Sequence, residues 1–473
     1  MSFILPHFSR QFPGMRVVVS LALSLALAGC TLSARGSGPS GASDVAVAAD
    51  GAASAGTPSA TLSGPDAADT PPPLLPAIRT GTAVEALALA ALEESERTSP
   101  GRDLVVQRRQ ERATIRRNRW PQLAPVAELD EDGKVGAGAG ATLTLYDFGR
   151  NSALEAEADR AIDLAWLDLW QERIDSVHEA LGLLVDAGEA RALRDASAAS
   201  LVDVTQLHQF ARSRVGAGIA DRSEQLLFDV RVAELRNEVK ADTAALRLAL
   251  GQIAVATKKS YTEASVPSLG ATQAALLPSS APAGSGTSSI SASGSGVSPA
   301  LMRARLEYAL AEHRLDLTGA RRFPSLQLKG SVLMDHNGDV TPVAKLSLGT
   351  ADFAGLSAGP AQAAADAALS SARANVERVT RDLRVETRRI ALERVRLESR
   401  AASLASLETE ARRSVALFLE QQDVGGRPLT DGITVYRILL QARRDHVSAR
   451  AALLRLRLRE AVQNGTLVRR EGG

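Results

Sequence analysis

Cysteine, aromatic residues and an excess charge of either sign are all scarce in this chain of 473 residues. The single cysteine excludes an internal disulfide. Aromatic residues make up only 3% of the composition, which suits long helices better than a compact mixed core. The 55 Lys and Arg residues nearly balance the 54 Asp and Glu residues, so nucleic acid is a disfavoured partner. Beyond the N-terminal region no run reaches about 18 apolar residues, which excludes a transmembrane helix there.

The chain also lacks a recognisable catalytic or metal-binding pattern. Asp147-Phe148-Gly149 stands at a predicted strand end without the other kinase motifs, and the Gly-rich run 136-140 leads into a strand instead of a helix. No Ser/His/Asp set stands out, and the histidines show no ligand spacing. We therefore expect no enzyme activity, no metal and no cofactor. The scattered histidines are His178, His208, His313, His336 and His446.

The one cysteine, Cys30, closes an apolar stretch near the N-terminus. Two arginines precede an uncharged core, Val17 to Ala28, whose length of about 12 residues is too short to span a bilayer and typical of a secretory signal. Leu27-Ala28-Gly29-Cys30 resembles a bacterial lipobox, which predicts a lipoprotein signal peptide at 1-29 and a lipid on Cys30. Thr31 stands where an aspartate would favour inner-membrane retention, so the outer membrane is favoured. The alternative is a buried cysteine that ends a hydrophobic run by chance.

Composition divides the rest of the chain into two folded halves between low-complexity segments. Residues 30-76 are rich in Ser, Gly, Ala, Thr, Asp and Pro, which predicts a flexible tether. A similar stretch lies within a linker or equatorial segment at 254-298. The predicted folded halves are 77-253 and 299-465, and 466-473 is a tail.

The two halves carry matching motifs in the same order, which predicts an internal repeat. Arg119-Trp120-Pro121-Gln122-Leu123 matches Arg322-Phe323-Pro324-Ser325-Leu326. Asp147-Phe148-Gly149 matches Asp352-Phe353-Ala354 more weakly. Each half therefore predicts a helix, a strand pair, a very long helix, a Gly-containing turn and a second helix.

Heptad periodicity is the strongest signal for the long helices. Asn151 to Arg214 contains no proline and predicts a single helix about 96 Å long. Sustained heptads predict helices packed at coiled-coil angles, although an ordinary bundle core would show the same stripe. In the second half the repeating positions are Leu369, Val376, Leu383, Ile390, Leu397, Leu404, Ala411 and Phe418.

Alternating residues predict a β-hairpin in each half, at 120-148 and at 323-350. Val135 to Leu145 alternates apolar residues with Gly and Thr, and Leu326 to Leu348 alternates around the turn signal Asn337-Gly338. One apolar face and one polar face are typical of a membrane barrel with a wet lumen. A soluble two-layer sheet would show a similar pattern.

These motifs resemble the TolC-like outer-membrane efflux proteins, in particular the lipoprotein members of that family. The most specific pieces are Arg119 to Leu123, Leu145 to Arg150 and Arg212 to Gly216, and the likeness covers Gly81 to Gly465. The resemblance implies a mainly α fold with a membrane β-barrel contribution. It further implies that long antiparallel coiled-coil helices and two β-hairpins per chain form a homotrimeric barrel and periplasmic tunnel, anchored in outer-membrane lipid.

Elementary physics also favours three copies. Four strands leave two open edges, which lipid does not tolerate. Eight strands from two chains would enclose an interior filled by side chains, whereas twelve strands from three chains leave a channel.

The resemblance implies passive export across the outer membrane in a tripartite efflux or type I secretion system. Its partners would be a periplasmic adaptor protein and an inner-membrane pump or ABC transporter. The departures from the family pattern are Asp352-Phe353-Ala354-Gly355, a longer second turn at Gln421 to Gly432, and few aromatic residues for a membrane belt. The alternative hypothesis is a lipid-anchored periplasmic coiled-coil scaffold without a pore.

The turns that follow the two long helices form the predicted functional site. Rings of carboxylates around a mouth select cations. The resemblance implies acidic rings or ion pairs that hold the entrance shut, and grooves that receive the adaptor. The alternative is that these are ordinary solvated turn residues. The candidate gate and adaptor residues are Gly216, Gly218, Asp221 and Arg222 in the first turn, and Asp423, Gly425, Arg427 and Asp431 in the second.

Overall fold

A computed structural model gives the architecture of the chain from residue 74 onward, and most of this part is helical. Cys30, the predicted signal peptide and nearly all of the predicted tether precede the part that it describes. The described residues are 74–129, 135–219, 221–276, 298–334, 340–349, 354–423 and 428–470.

The elements follow the same order in both halves: a helix, two strands, a helix of 67 or 66 residues and a helix of 36 or 35 residues. Two short 3-10 turns, Glu263–Ser265 and Gly355–Ser357, complete the connections. The helices and strands are β1 (Leu74–Pro76), α1 (Ala83–Thr98), α2 (Gly101–Arg117), β2 (Gln122–Leu129), β3 (Val135–Tyr146), α3 (Arg150–Gly216), α4 (Arg222–Thr257), α5 (Leu269–Leu276), α6 (Pro299–Ala320), β4 (Ser325–Met334), β5 (Val340–Gly349), α7 (Ala358–Asp423), α8 (Leu429–Gln463) and β6 (Val468–Arg470).

The two longest helices, α3 and α7, each extend about 100 Å at 1.5 Å per residue. Helix α3 packs against α2, α6, α4 and α8, whereas α7 packs against α6 and α8. Helix α7 therefore lies at one edge of a helical wall. No helix among the described residues combines the length and the apolar content that a bilayer crossing needs.

The heptad stripe of α7 faces inward, as its spacing predicts. Ile390, Leu397, Ala411 and Phe418 are buried, and the other four heptad positions are half-buried. In α3 the stripe with 3,4 spacing is buried except for Trp170, which is half-buried; its other members are Leu167, Ile174, Val177, Leu181 and Leu184. Sequence periodicity thus identified the packing faces of both long helices correctly.

Two large apolar clusters hold the helices together. The first joins α1, α3, α4, α5 and α8, and it includes Val266, Leu269 and Ala275. The part of the predicted linker up to Leu276 is therefore packed against the core. The second cluster lies where α3 and α7 end and α4 and α8 begin, around Phe228, Phe418 and Leu429.

A buried polar contact joins three of the helices. The carboxylate of Asp242 in α4 accepts hydrogen bonds from Ser197 Oγ of α3 at 3.0 Å and from Arg444 of α8 at 2.6 and 3.2 Å. Ser197 and Asp242 are both buried. A buried carboxylate destabilises the folded state unless it is paired and hydrogen-bonded. The contact therefore favours the alignment of the three helices in which Ser197 and Arg444 both reach Asp242.

Strands β2, β3, β4 and β5 form one antiparallel sheet in that order. The sheet therefore joins the two halves through β3 and β4, and β2 and β5 are its edges. A Cβ atom added at Gly138 would lie 1.9 Å from the carbonyl oxygen of Val332 on the neighbouring strand. The glycine at this position therefore lets β3 and β4 pack closely.

The ends of the described chain meet in a second, two-stranded sheet. Strand β1 pairs antiparallel with β6, and the backbone N–H of Ala77 donates to the carbonyl of Leu467 at 2.9 Å. Residues 74–76 were predicted as the end of a flexible tether and 466–470 as part of a tail. Both predictions are wrong for these residues. Each segment is too short to show a strand signal in the sequence, but the two segments satisfy each other's backbone hydrogen bonds.

Candidate functional site

The junction between β3 and α3 is built by the Leu145 to Arg150 motif. Phe148 and Gly149 both have left-handed backbone angles, with φ of 55° and 84°, which turn the chain sharply out of the strand. Asp147 then caps α3, because its carboxylate accepts hydrogen bonds from the backbone N–H groups of Gly149 at 3.1 Å and Asn151 at 2.8 Å. The motif is thus a strand-to-helix turn.

The same motif connects the two halves. Arg150 is buried and donates from Nη2 to the carbonyl oxygen of Phe323 at 3.1 Å. Phe148 stacks on the Phe323 ring with centroids 4.7 Å apart, and Tyr146 meets Phe148 edge-on at the same distance. With the exposed Trp120, these aromatic residues gather at one end of the sheet. These four aromatic residues therefore lie together where the sheet meets the long helices.

The sheet has one apolar and one polar face. In register, Leu143, Leu328 and Leu346 form a row across β3, β4 and β5, and Leu346 is 63% exposed. The adjacent row consists of polar residues, namely Thr144, Gln327 and Ser347. A wide exposed apolar face marks contact with lipid or with another protein.

At the other end of the helices, the first turn joins α3 to α4. Gly216 ends α3, and Gly218 follows with a φ of 72°, a conformation that favours glycine. Asp221 caps α4 by accepting hydrogen bonds from the hydroxyl and the backbone N–H of Ser223. The side-chain bond from Ser223, followed by the backbone bond, lowers the pKa of Asp221, so this exposed carboxyl is ionised at neutral pH.

The second turn is described only on its two sides. Asp423 is the last residue of α7, and Asp431 lies half-buried in the first turn of α8. Gly425 and Arg427 fall between the described residues. A Cβ atom at Gly432 would lie 2.7 Å from the Phe418 ring, so a glycine here lets α8 pack tightly on the end of α7.

Of the closing ion pairs implied for this mouth, those that would involve Arg427 lie outside the described residues. In the described ranges no ion pair joins Arg222 to Asp221 or Asp431. Burial raises the pKa of Asp203 in α3 and that of Tyr436 in α8, and the charge of Asp203 raises the pKa of Tyr436 further. Among the residues that the structure describes, no group of three or more His, Cys, Asp and Glu side chains is arranged for a metal ion.

Comparisons with known proteins find likeness in structure alone. No protein-family model matches the chain, and no curated protein matches its sequence. VceC, an outer membrane protein of Vibrio cholerae, matches with a TM-score of 0.66 and 13% identity over 81% of this chain and 96% of VceC. The chain has the TolC-like fold of outer-membrane channels.

Two further channels support this assignment. The CmeC outer membrane channel of Campylobacter jejuni matches with a TM-score of 0.65 and 11% identity, over 81% of this chain and 86% of CmeC. The open state of the MtrE outer membrane channel of Neisseria gonorrhoeae matches with a TM-score of 0.59 and 16% identity, over 81% of this chain and 87% of MtrE. The TolC-like fold confirms the predicted fold class, in which a small antiparallel sheet accompanies long packed helices.

Proposed function

We propose that this protein is a passive exit duct in the outer membrane. The observation that carries the proposal is a four-stranded sheet with an exposed apolar face, joined directly to helices about 100 Å long, in the TolC-like fold. The apolar face would contact lipid, the polar face would line a lumen, and the helices would extend the lumen through the periplasm. The aromatic residues at the helical end of the sheet would lie at the membrane interface.

The duct would be a homotrimer. Strands β2 and β5 each have one edge that no other described strand pairs with, and an open sheet edge in lipid leaves backbone groups without partners. Pairing of β5 with β2 of the next copy would close a barrel of twelve strands. Helix α7, which packs on α6 and α8 among the described residues, would pack with its other side on the next copy.

Transport through such a duct needs an energy source elsewhere, because the chain shows no catalytic pattern. We propose an inner-membrane pump or ABC transporter, coupled through a periplasmic adaptor protein that docks at the turns after α3 and α7. The structural neighbours VceC, CmeC and MtrE are outer membrane proteins, which supports this kind of system.

Reconstitution in planar bilayers tests the duct. Purified full-length protein should be a trimer by mass measurement in mild detergent, and it should give stepwise single-channel currents. A folded monomer without conductance would contradict the duct and favour the periplasmic scaffold without a pore.

A lipid on Cys30 is the second part of the proposal. Its support is the lipobox Leu27 to Cys30, because only a cysteine thiol accepts the lipid. Cells fed labelled palmitate should label the parent protein, and Cys30→Ser should abolish the label and slow processing of the precursor. Cys30→Ser protein labelled as strongly as the parent would disprove the lipidation, while channel activity in that variant is allowed because a barrel inserts by its own apolar face.

Asp221 is proposed as a member of a carboxylate ring at the periplasmic mouth. Asn caps helices as well as Asp does, so Asp221→Asn removes the charge and keeps the α4 cap, whereas Asp221→Ala removes both. We expect Asp221→Asn to shift the permeability ratio toward chloride by about twofold at low salt with unchanged thermal stability, because each copy loses one negative charge at the mouth and the effect of exposed charges is screened by salt. Asp221→Ala should shift the permeability ratio in the same direction and lower the stability as well.

Reversal potentials in a KCl gradient and melting curves would measure the two effects. If Asp221→Asn keeps the parent's selectivity and its closed-state conductance, Asp221 is only a helix cap. Increased conductance in the same variant would indicate instead that Asp221 closes the mouth through an ion pair with a neighbouring copy.

A further inference from the structure

Two lysines lie side by side on the polar face of the sheet. Lys329 of β4 stands directly opposite Lys345 of β5 in the register. The same row continues through Thr142 of β3 to Gln122 of β2. Side chains alternate between the two faces of a strand, so this row shares its face with Gln327 and not with the leucine row beside it.

The lysine pair has no counter-ion within the described part of the chain. Lys329 is half-buried and Lys345 is exposed, and no acidic side chain pairs with either one. The four strands contain one acidic residue, Glu128, which lies six positions beyond Gln122, or about 20 Å along β2. Like charges directly opposite each other destabilise a sheet, so the pair carries a local cost in stability.

The position of the pair in the sheet decides which face meets water. Lys329 is the fifth of the ten residues of β4, and Lys345 is the sixth of the ten in β5. Both are therefore near the middle of their strands. A lysine that faces lipid near the bilayer midplane destabilises a barrel strongly, whereas a lumen-facing lysine is hydrated. The face that carries Lys329 and Lys345 is thus the lumenal one.

We propose that Lys329 and Lys345 form a ring of six positive charges inside the barrel and make the duct selective for anions. This inference rests on the proposed trimeric duct. Rings of Lys or Arg side chains favour anions in pores, because the solute passes close to several uncompensated positive charges. The cargo class that fits such a ring is small molecules with a net negative charge.

The test is ion selectivity of the purified full-length protein in planar bilayers. In a KCl gradient near 0.1 M we expect the parent to prefer chloride. The double variant Lys329→Gln with Lys345→Gln should reduce the chloride preference about fivefold, because six charges on the order of 10 Å from the pore axis act across water and are only partly screened. The variant Lys329→Glu with Lys345→Glu should reverse the preference to potassium.

A matched control is Lys240→Gln, which removes a lysine from an exposed position of the helical wall, far from the sheet. It should leave the reversal potential unchanged. Raising the salt to 1 M should weaken the parent's preference, because the screening length falls to about 3 Å. Glutamine is uncharged and similar in length to lysine, so the glutamine variants should still form trimers. Mass measurement on the same preparation checks this for each variant.

The outcomes separate the two proposals. A conducting parent whose reversal potential is unchanged by both double variants would overturn the lysine ring and leave the duct intact. A parent without any conductance would overturn the duct itself. Selectivity that shifts in the double variants and not in Lys240→Gln would support the ring.

Discussion

Replacing Leu346 with arginine is expected to prevent most of the protein from assembling in the membrane. Leu346 lies in the leucine row of the apolar face, between the middle of β5 and its helical end, and it is 63% exposed in the single chain. An arginine that faces lipid near the midplane of a barrel costs about 2–4 kcal/mol per chain. Three copies in a trimer would add this cost three times. Leu143→Arg in the same row should act in the same way.

Ser347→Arg is the matched control, since it introduces the same side chain one residue further along β5. Ser347 belongs to the polar row with Thr144 and Gln327, so its arginine would point into water. We expect near-normal amounts of trimer for Ser347→Arg and a severe loss for Leu346→Arg, measured in outer-membrane fractions. Loss of trimer from Ser347→Arg, with normal amounts of trimer from Leu346→Arg, would mean that the lipid-facing and lumenal faces are assigned the wrong way round.

The second large effect is expected at the helix turns. Phe418 is fully buried in the cluster where α3, α4, α7 and α8 meet, and its ring fills the space beside Gly432. Truncating a buried phenylalanine to alanine typically costs about 3–5 kcal/mol, because apolar contacts are lost and a cavity remains. Phe418→Ala should therefore loosen the ends of these helices and with them the mouth of the duct.

Leu419→Ala is the control for this variant, because Leu419 follows directly in α7 and its side chain is 42% exposed. Hydrogen exchange should increase in residues 204–219 and 428–440 of Phe418→Ala and remain near the parent's rate in Leu419→Ala. Equal protection in both variants would show that the cluster around Phe418 does not hold the turns. We also expect leakier channels from Phe418→Ala, if the same packing keeps the mouth closed.

Patterns that repeat over short distances were predictable from the sequence. The heptads placed Ile390, Leu397 and Phe418 on the buried side of α7, because a helix returns to the same face every 3.6 residues. Alternation likewise separated the leucine row from the polar row in the sheet, since successive strand residues face opposite ways. The motif around Gly218 predicted a tight reversal, and its left-handed backbone confirms that turn.

Contacts between distant segments were decided by the tertiary structure alone. The pairing of β1 with β6, the bond from Arg150 to the Phe323 carbonyl and the contact of Asp242 with Arg444 each join elements far apart in the chain. No periodic signal marks such partners, because each depends on the register and the packing that the whole fold imposes. The alternation of β4 and β5 put Lys329 and Lys345 on polar faces, but only the register between the strands set them opposite each other. The sequence by itself therefore determined which segments are helices or strands and which of their faces are apolar. The tertiary structure decided which residues of distant segments lie next to each other, including the two lysines.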